Sequence, residues 1–433
     1  MRDFATSDDS AVQAQLDRLG ALSLPQGRFG LGTIRELLRR LGDPQLRIPP
    51  AFHVAGTNGK GSTCAFLRAM IEAQGLTVHV ATKPHLVRYN ERIRLAGKLI
   101  EDAHLAALLK EVLDLGEDLS PSFFEVTAAA TFLAFAREPA DACVIEVGLG
   151  GRFDATNVLE RPAACGIASL GIDHEAFLLR PEDGVPQEAL SRIAFEKASI
   201  ARPEAPLVTQ TYPLDVARTV IATARNAGAR TAIRGLDWFA EASEMIHYRD
   251  TRGELDLPLP TLNGAHQADN AALAVAMLRH QERIEVSPAA LAGGIGAARW
   301  PARLQLLGPG PLTALAPGRR VWLDGGHNRD AGEVIAKAFA ETSGLHLIIG
   351  MLANKNPAAI VEPLEGKLAS LSVVPIPGHE SHGATAFVSG APAPSYPDVA
   401  SALRSLPPGG DVLIAGSLYL AGTVLKLNEE LPD

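Results

Sequence analysis

Apolar residues recur along the chain with two different spacings between about residues 51 and 300. Short, continuous apolar runs between turn residues are typical of buried strands, whereas apolar residues three or four positions apart are typical of helices. The pattern predicts strands at 51–55, 78–81, 142–147, 164–169 and 207–210, and helices at 63–74, 102–115 and 124–137. Strands that alternate with helices in this way predict a mostly parallel sheet with helices on both faces.

A stretch rich in proline and glycine at 300–318 interrupts this pattern and favours a domain boundary. The alternation then resumes, with strands predicted at 320–323, 345–349, 371–375 and 412–415 and a helix at 331–342. Further helices are predicted at 11–19, at 32–41 and within the Ala/Leu-rich stretch 262–279. We therefore expect an α/β chain of two domains, residues 1–298 and 299–433.

Composition and charge narrow the range of functions. The 433-residue chain has a net charge of −9, which argues against nucleic acid as the main partner because a phosphate backbone needs a basic surface. No apolar stretch reaches the ~20 residues that span a bilayer, and no secretory leader pattern opens the chain. We therefore expect a cytoplasmic protein with no membrane partner. The cysteines lack metal-type spacing, and Cys143 and Cys165 are predicted to lie in the core.

The segment between the first predicted strand and the helix that follows it has the composition of a phosphate-binding turn. It reads Gly56-Thr57-Asn58-Gly59-Lys60-Gly61-Ser62-Thr63. Glycines let the backbone wrap closely round an anion, and the helix offers free N–H groups. Lys60 can then reach the terminal phosphates and Ser62 a magnesium ion, so the segment predicts an ATP or GTP site. The alternative is an ordinary Gly/Asn turn, which a lysine and a serine at these positions disfavour.

Two other predicted strands end in groups that can hold a magnesium ion. Glu146 ends one apolar run, and Asp173 and His174 follow another. Because ligands bind at the carboxyl ends of parallel strands, these groups are predicted to face the nucleotide. The alternatives are a carboxylate that caps the glycine-rich loop after Glu146 and a histidine that is an ordinary loop residue. For Lys197, the residues alone favour a solvated helix face on which it pairs with Glu196.

Two polar segments remain. The basic segment from Thr82 to Arg94 follows a predicted strand, and its cations are equally compatible with a bound anionic substrate and with a solvated loop. The cluster Asp324-Gly-Gly-His327-Asn328 follows the first strand of the second predicted domain, where a ligand-binding role is expected.

Together these segments resemble the Mur ligase superfamily, and most closely the bacterial folylpolyglutamate synthases and bifunctional dihydrofolate synthases. The matching motifs occur in the family's order: Gly56 to Ser62, Pro84-His-Leu86, Glu91-Arg-Ile93, Glu146 to Arg152, Asp154-Ala-Thr-Asn157, Leu262 to Gln267, Pro301-Ala-Arg303 and Asp324 to Asn328. The short spacing of the phosphate-binding turn, which departs from the general P-loop, is the family's own. The resemblance implies a Mur ligase-like fold, in which a P-loop-type, mostly parallel sheet domain at 1–298 binds ATP and folate and a smaller Rossmann-like α/β domain at 299–433 serves glutamate ligation.

The resemblance also implies a reaction. ATP phosphorylates a carboxylate of dihydropteroate or of a reduced folate, and the amine of L-glutamate attacks the acyl phosphate to form an amide. The Phe123-Phe124-Glu125 segment resembles the bifunctional members, so we expect both substrates to be used.

Residue roles carry over from the family only onto matching positions of this chain. The resemblance assigns ATP binding to the P-loop residues Gly56 to Thr63 and to Asn263, His266, Gln267, Arg303 and Asp324. It assigns two Mg²⁺ ions to Ser62, Glu146, His174 and a carbamylated Lys197. It assigns the folate substrate to Pro84, His85, Arg88, Arg92, Phe124, Arg152, Asp154 and Ala155, and glutamate to His327 and Ser417. The expected catalytic residues are Lys60, His174, Lys197 and His327.

Two other functions stay open: another amide ligase of the superfamily, such as one that builds peptidoglycan precursors, and a P-loop ATPase that is not a ligase. More residues separate His174 from Lys197 than is usual in the family, and we expect the extra residues at 180–186 to form a surface loop. A monomer is expected.

Overall fold

The computed structural model describes residues 6–22, 30–387 and 393–432. Within them, α-helices span Ser10–Ala21 (α1), Gly32–Arg40 (α2), Lys60–Ala73 (α3), Asp102–Gly116 (α4), Phe123–Arg137 (α5), Glu175–Leu178 (α6), Ala189–Ala198 (α7), Leu214–Asn226 (α8), His266–Arg279 (α9), Pro288–Ala297 (α10), Arg329–Ala338 (α11), Ala358–Val361 (α12), Val399–Arg404 (α13) and Leu418–Leu427 (α14). Strands span Ala51–Ala55 (β1), Val78–Ala81 (β2), Ile93–Leu95 (β3), Lys98–Leu99 (β4), Ala142–Glu146 (β5), Ala164–Ile167 (β6), Pro206–Thr209 (β7), Arg230–Ile233 (β8), Trp238–Ala242 (β9), Ile246–Asp250 (β10), Gly253–Leu257 (β11), Gln305–Leu306 (β12), Val321–Leu323 (β13), Leu345–Ile349 (β14), Leu368–Val373 (β15) and Val412–Ala415 (β16).

The described residues fall into two compact units. The first takes its residues from Met1–Pro84, Arg88–Thr261 and Gln267–Arg299, and the second from His85–Val87, Leu262–His266 and Trp300–Asp433. The second unit therefore includes two short segments, 85–87 and 262–266, that precede residue 299 in the sequence.

The main sheet of the first unit has the strand order β4-β3-β2-β5-β1-β6-β7-β8 within the described residues. Neighbouring strands from β2 to β8 run parallel, and β3 and β4 add an antiparallel edge beside β2. Every residue of β1, β5 and β6 is buried, as expected for central strands covered on both faces. The order places the carboxyl ends of β2, β5, β1 and β6 side by side.

A separate antiparallel sheet, with the order β11-β10-β9, was not expected from the sequence. Trp238 and Ala240 of β9 and Tyr248 of β10 are buried, whereas Phe239 between the first two is exposed. Only one face of this sheet is covered, so its strands carry polar residues at alternate positions and lack a continuous apolar run. This alternation of apolar and polar residues is visible in the sequence and is typical of a half-buried strand.

The second unit contains a sheet with the order β12-β13-β16-β14-β15, in which β12 is antiparallel and the other neighbours are parallel. The strands predicted at 345–349 and 412–415 coincide with β14 and β16. Helix α11 begins at Arg329, two residues earlier than predicted, because the Asn328 side chain caps its first turn by accepting the N–H of Ala331 at 3.0 Å.

The expected positions of the cysteines are confirmed. Cys143 and Cys165, as well as Cys64, are buried and form no disulfide. Among the helices that the structure describes, none has both the length and the apolar composition needed to cross a bilayer.

Helix α3, which follows the phosphate-binding turn, packs closely against α10. Gly294 of α10 faces the backbone of Met70, and a Cβ atom at position 294 would lie 2.5 Å from the Met70 backbone nitrogen. Gly296 of the same helix has no atom within 4 Å of the position where its Cβ would stand. The two glycines therefore differ in the space available for a side chain.

We expect Gly294→Ala to lower the free energy of unfolding by ~1–3 kcal/mol, because the added methyl group overpacks the contact with Met70. Gly296→Ala is the matched control and should raise the free energy of unfolding by ~0.5–1 kcal/mol, since alanine favours the helix and meets no neighbour. Urea unfolding followed by circular dichroism measures both changes. A Gly294→Ala protein as stable as the control would contradict the close packing.

Candidate active site

The candidate site lies where four neighbouring strands of the first unit end. The phosphate-binding turn follows β1, Glu146 ends β5 beside it, and Asp173 and His174 follow β6 on the other side. Lys83 follows β2, the next strand beyond β5. Adjacent parallel strands therefore bring together side chains that are far apart in the sequence.

The phosphate-binding turn ends at Gly59, which has a positive φ of 83°. A Cβ atom at this position would overlap the side-chain oxygen of Asn270, so the turn combines a left-handed backbone with close contact to α9. Helix α3 then begins at Lys60 with no side-chain cap, three residues earlier than predicted. Its first-turn N–H groups, including that of Ser62, lack partners within the helix and can bind an anion.

The turn is also fixed to the segment that follows β6. Thr57 donates its backbone N–H to the Ser169 carbonyl at 2.7 Å and its hydroxyl to the Gly171 carbonyl at 2.8 Å. The Ser169 hydroxyl in turn donates to the Asn58 carbonyl at 3.1 Å. These bonds hold the phosphate-binding turn against the segment that carries the two metal-ligand candidates after β6.

A small pocket lies at this edge of the sheet. Its lining is Gly56, Thr57, Lys60, Val147, Gly148, Leu149, Gly150, Asp173, His174 and Lys197. The structure thus brings Lys60, His174 and Lys197 to one cavity. Ser62 and Glu146 are buried beside it and are not part of this lining.

Lys60 and Lys197 both point toward the turn. The Lys60 ammonium donates to the carbonyls of Gly56 at 3.0 Å and Thr57 at 3.1 Å. The Lys197 amine donates to the same Gly56 carbonyl at 2.9 Å and is buried. Burial, followed by the nearby charge of Lys60, lowers the pKa of Lys197 to about 7. The interpretation of Lys197 as part of a solvated helix face is therefore wrong, because α7 turns it into the core.

The helix that carries Lys197 is tied to the glycine-rich loop after β5. Arg152 pairs with Glu182 at 2.5 Å and with Glu196 at 2.9 Å, and Arg192 pairs with the same two carboxylates at 2.8 and 3.1 Å. The hydrogen bond from Arg152 is the largest cause that lowers the pKa of Glu182 to about 2, whereas burial raises the pKa of Glu196. Glu182 belongs to the segment expected to be a surface loop, yet it is half-buried and completes this ion-pair network.

Close backbone contact reinforces the ion pairs. The Arg152 N–H donates to the Glu196 carbonyl at 2.8 Å, and a Cβ atom at Gly151 would lie 2.5 Å from that same carbonyl oxygen. Only a glycine lets the loop approach α7 so closely. The positions of Gly148, Gly150 and Lys197 in the pocket are therefore coupled through this contact.

Asp154, a predicted substrate residue, is buried and holds the same loop from the other side. Its carboxylate accepts the N–H groups of Gly148 at 3.0 Å, Leu149 at 2.9 Å and Thr156 at 3.0 Å. Burial acts to raise the pKa of Asp154, but the charge of Lys83 and these hydrogen bonds outweigh it and lower the pKa. The carboxylate is therefore ionised.

The other predicted substrate residues of the first unit differ in exposure. Arg92 is 2% exposed and lies 5.1 Å from the Tyr89 ring centroid and 5.6 Å from that of Phe123. Phe124 packs edge-on against Phe123 with ring centroids 5.6 Å apart. The remaining members of the set are Pro84, which follows a cis peptide bond, the buried Ala155 and the exposed Arg88.

The predicted residues of the second unit form their own cluster after β13. Asp324 accepts the N–H groups of Leu304 at 2.8 Å and Gly326 at 2.6 Å, and burial raises its pKa. The Asn263 amide donates to the Leu304 carbonyl at 2.9 Å, and the Arg303 guanidinium to the Ala302 carbonyl at 2.9 Å. Of the other candidates, His85 is buried and His266 is the first residue of α9. The His327 ring lies 3.1 Å from the Gly325 carbonyl oxygen. Ser417 caps the first turn of α14. Gln267, which belongs to the first unit, is fully buried.

Two residues near the site were missed at the sequence level. Asn270 touches Gly59 and donates to the Gln267 side chain at 3.1 Å, a contact that the i,i+3 spacing of a helix makes visible in the sequence. Lys83 affects the pKa of Asp154 through its charge, but no local pattern separates it from the other cations of its segment.

Comparison with known proteins identifies the family. No protein-family model matches the chain. The dihydrofolate synthase/folylpolyglutamate synthase of Bacillus subtilis is 34% identical over 362 residues, which cover 78% of this chain and 78% of that protein. The chain belongs to the dihydrofolate synthase/folylpolyglutamate synthase family.

Solved structures of dihydrofolate synthase/folylpolyglutamate synthases match nearly the whole chain. E. coli FolC in complex with DHPP and ADP has a TM-score of 0.85 at 29% identity, and the match covers 98% of this chain and 99% of that one. A bifunctional folylpolyglutamate synthase/dihydrofolate synthase with Mn, AMPPNP and L-glutamate bound has a TM-score of 0.82 at 28% identity, covering 97% and 99%. The Mur ligase-like fold expected from the sequence is confirmed.

The donors of this family member fit a magnesium ion that binds together with the nucleotide. Within the described residues, no group of three or more His, Cys, Asp or Glu side chains is arranged to hold a metal. Mg²⁺ commonly binds through one or two carboxylates, water and substrate phosphates, so a complete protein cage is not required. The buried Glu146 carboxylate and the Ser62 hydroxyl next to the phosphate-binding turn supply oxygen donors of the required type.

We expect Glu182→Gln to lower the free energy of unfolding by ~1–2 kcal/mol and to lower kcat, because Arg152 and Arg192 lose a shared charged acceptor and the loop separates from α7. Asp183→Asn makes the same change in charge at the neighbouring, exposed residue and is the control. Thermal unfolding and steady-state kinetics measure both effects. Two variants with the same stability and kcat would show that the network does not hold the site.

Proposed function

We propose that this chain is an ATP-dependent ligase that adds L-glutamate to dihydropteroate and to reduced folates. The observation that carries the proposal is the pocket in which Lys60, His174 and Lys197 converge on the phosphate-binding turn. Family membership supports the same reaction, since the relatives are named dihydrofolate synthase/folylpolyglutamate synthase. The Phe123-Phe124-Glu125 segment supports the use of both acceptors.

The first step transfers the γ-phosphoryl group of ATP. A carboxylate oxygen of the substrate attacks the γ-phosphorus, the bond to the β-phosphate oxygen breaks, and an acyl phosphate and ADP form. The turn from Gly56 to Ser62 and the first-turn N–H groups of α3 bind the phosphates, while Lys60 moves from the loop carbonyls to the anionic oxygens. Because phosphoryl transfer depends mainly on positioning and charge neutralisation, these contacts account for most of the catalysis.

The second step forms the amide. The amine nitrogen of glutamate attacks the acyl carbon, inorganic phosphate leaves, and the amine proton passes to solvent or to phosphate. In the second unit, we assign His327 and Ser417 to glutamate and Asn263, His266, Arg303 and Asp324 to the nucleotide. Ser62, Glu146, His174 and Lys197 would hold Mg²⁺, which would supply charge neutralisation at the phosphates.

Lys197 is assigned as a carbamate. With a pKa near 7, its amine is half neutral at neutral pH, and the neutral nitrogen can attack the carbon of CO₂. A C–N bond forms, one proton leaves to solvent, and the buried cation becomes an oxygen donor for a second metal ion. The modification thus removes a positive charge from a buried site beside Lys60.

Several finer points belong to the same proposal. Pro84, His85, Arg88, Arg92, Phe124, Arg152, Asp154 and Ala155 are assigned to the folate substrate, directly or through the loop that Arg152 and Asp154 hold. A monomeric, cytoplasmic enzyme without nucleic-acid or membrane partners remains the expectation. A peptidoglycan ligase and a P-loop ATPase that is not a ligase are the alternatives.

A direct assay tests the function. We expect ADP release to require both L-glutamate and a pteridine acid, when dihydropteroate and tetrahydrofolate are compared side by side with UDP-linked peptidoglycan precursors. Mass spectrometry should show one added glutamate residue per ADP released. Hydrolysis of ATP at a rate that no acceptor changes would refute the ligase assignment.

Lys197→Ala should abolish ligation, and added acetate or formate should restore part of it, because a small carboxylate can occupy the place of the carbamate. Lys110→Ala, which removes an exposed lysine, is the control.

Since the Lys197 amine is neutral above a pKa of about 7, wild-type enzyme stripped of CO₂ should regain activity faster at pH 8 than at pH 6 when dissolved CO₂ is equal. Full activity without CO₂ would rule out the carbamate.

A further inference from the structure

Lys83 places a buried cation in the region assigned to the folate substrate. Its side-chain nitrogen is inaccessible to solvent and makes no hydrogen bond to any residue that the structure describes. Its backbone N–H donates to the Glu146 carboxylate at 3.0 Å, which fixes the residue at the end of β2. The nitrogen lies 5.7 Å from the centroid of the Phe124 ring.

The neighbouring carboxylate does not satisfy this cation. Asp154 already accepts three backbone N–H groups and the Thr156 hydroxyl, so its lone pairs are in use. A Cβ atom at Gly148 would lie 3.1 Å from the Lys83 nitrogen and 3.1 Å from an Asp154 oxygen, so the absence of a side chain at Gly148 leaves space between the two charges. A buried ammonium without an acceptor is unfavourable unless a ligand supplies one.

The surroundings indicate what kind of ligand fits. Asp154 is ionised and balances the charge of Lys83, and burial is the main cause that lowers the pKa of the adjacent His53 to about 3, so that its ring is neutral. Because the Asp154 carboxylate already lies near Lys83 and the Glu146 carboxylate accepts its backbone N–H, a neutral acceptor is favoured over a further anion. Phe124 provides an aromatic surface for a flat ring.

We propose that Lys83 binds the acceptor edge of the pteridine ring, formed by the ring carbonyl oxygen and the adjacent ring nitrogen of dihydropteroate. This inference rests on the proposed function and adds a specificity residue to it. Lys83 donates to the heterocycle, Phe124 packs beside the ring, and Asp154 holds the glycine loop next to Lys83.

The test compares Lys83→Met with Lys98→Met, which makes the same change at an exposed lysine of β4. Lys83→Met should weaken dihydropteroate binding about 10- to 100-fold, as expected for the loss of a charged donor, and leave the KM for ATP unchanged. Its thermal stability without substrate should stay close to that of wild type, because the ammonium that is removed makes no hydrogen bond and the Asp154 carboxylate keeps its four hydrogen bonds.

Substrate analogues isolate the hydrogen bond. Wild-type enzyme should bind 4-deoxo and 5-deaza analogues of dihydropteroate more weakly than the parent, and Lys83→Met should discriminate less between them. Equal discrimination in both proteins would overturn the proposal, and so would a variant that raises the KM for ATP alone, which would assign Lys83 to the nucleotide. Wild-type protein that ligates glutamate to no pteridine would refute the proposed function instead.

Discussion

The site depends on the parallel pairing of β1 between β5 and β6. Val54 of β1 stands opposite Glu146, and Ala55 stands opposite Ile167 of β6, so the three strands end at nearly the same level. The loops that follow them therefore meet at one edge of the sheet. A shift in this register would separate the phosphate-binding turn from the acidic and imidazole groups on both sides.

Close contact between backbones converts this shared edge into a defined pocket. Gly59 lets the phosphate-binding turn lie against Asn270, and Gly151 lets the loop after β5 lie against the carbonyl of Glu196. In both places a side chain would displace the neighbouring element. Glycine thus serves here to bring helices and loops together as well as to allow unusual backbone angles.

Buried charge is the second organising feature of the site. Lys197 avoids the cost of burial through a lowered pKa, whereas Arg152 does so by sharing carboxylates with Arg192. The Lys83 side-chain nitrogen makes no hydrogen bond to any described residue, and in our proposal the substrate supplies its acceptor. The free-energy cost of burying a charge therefore shapes the ion pairs of the protein at Arg152 and, in our proposal, the binding of substrate at Lys83.

Local sequence determined the phosphate-binding turn, the strands at 78–81, 345–349 and 412–415, and the α/β class, because turn chemistry and apolar runs depend on neighbouring residues only. Motif order was enough to indicate the ligase family. Only the tertiary structure decided that Lys197 is buried and that Glu182 joins the loop after β5 to α7. Those outcomes depend on contacts between residues distant in sequence, such as Lys197 with Gly56 and Glu182 with Arg152, and no local periodicity records such contacts.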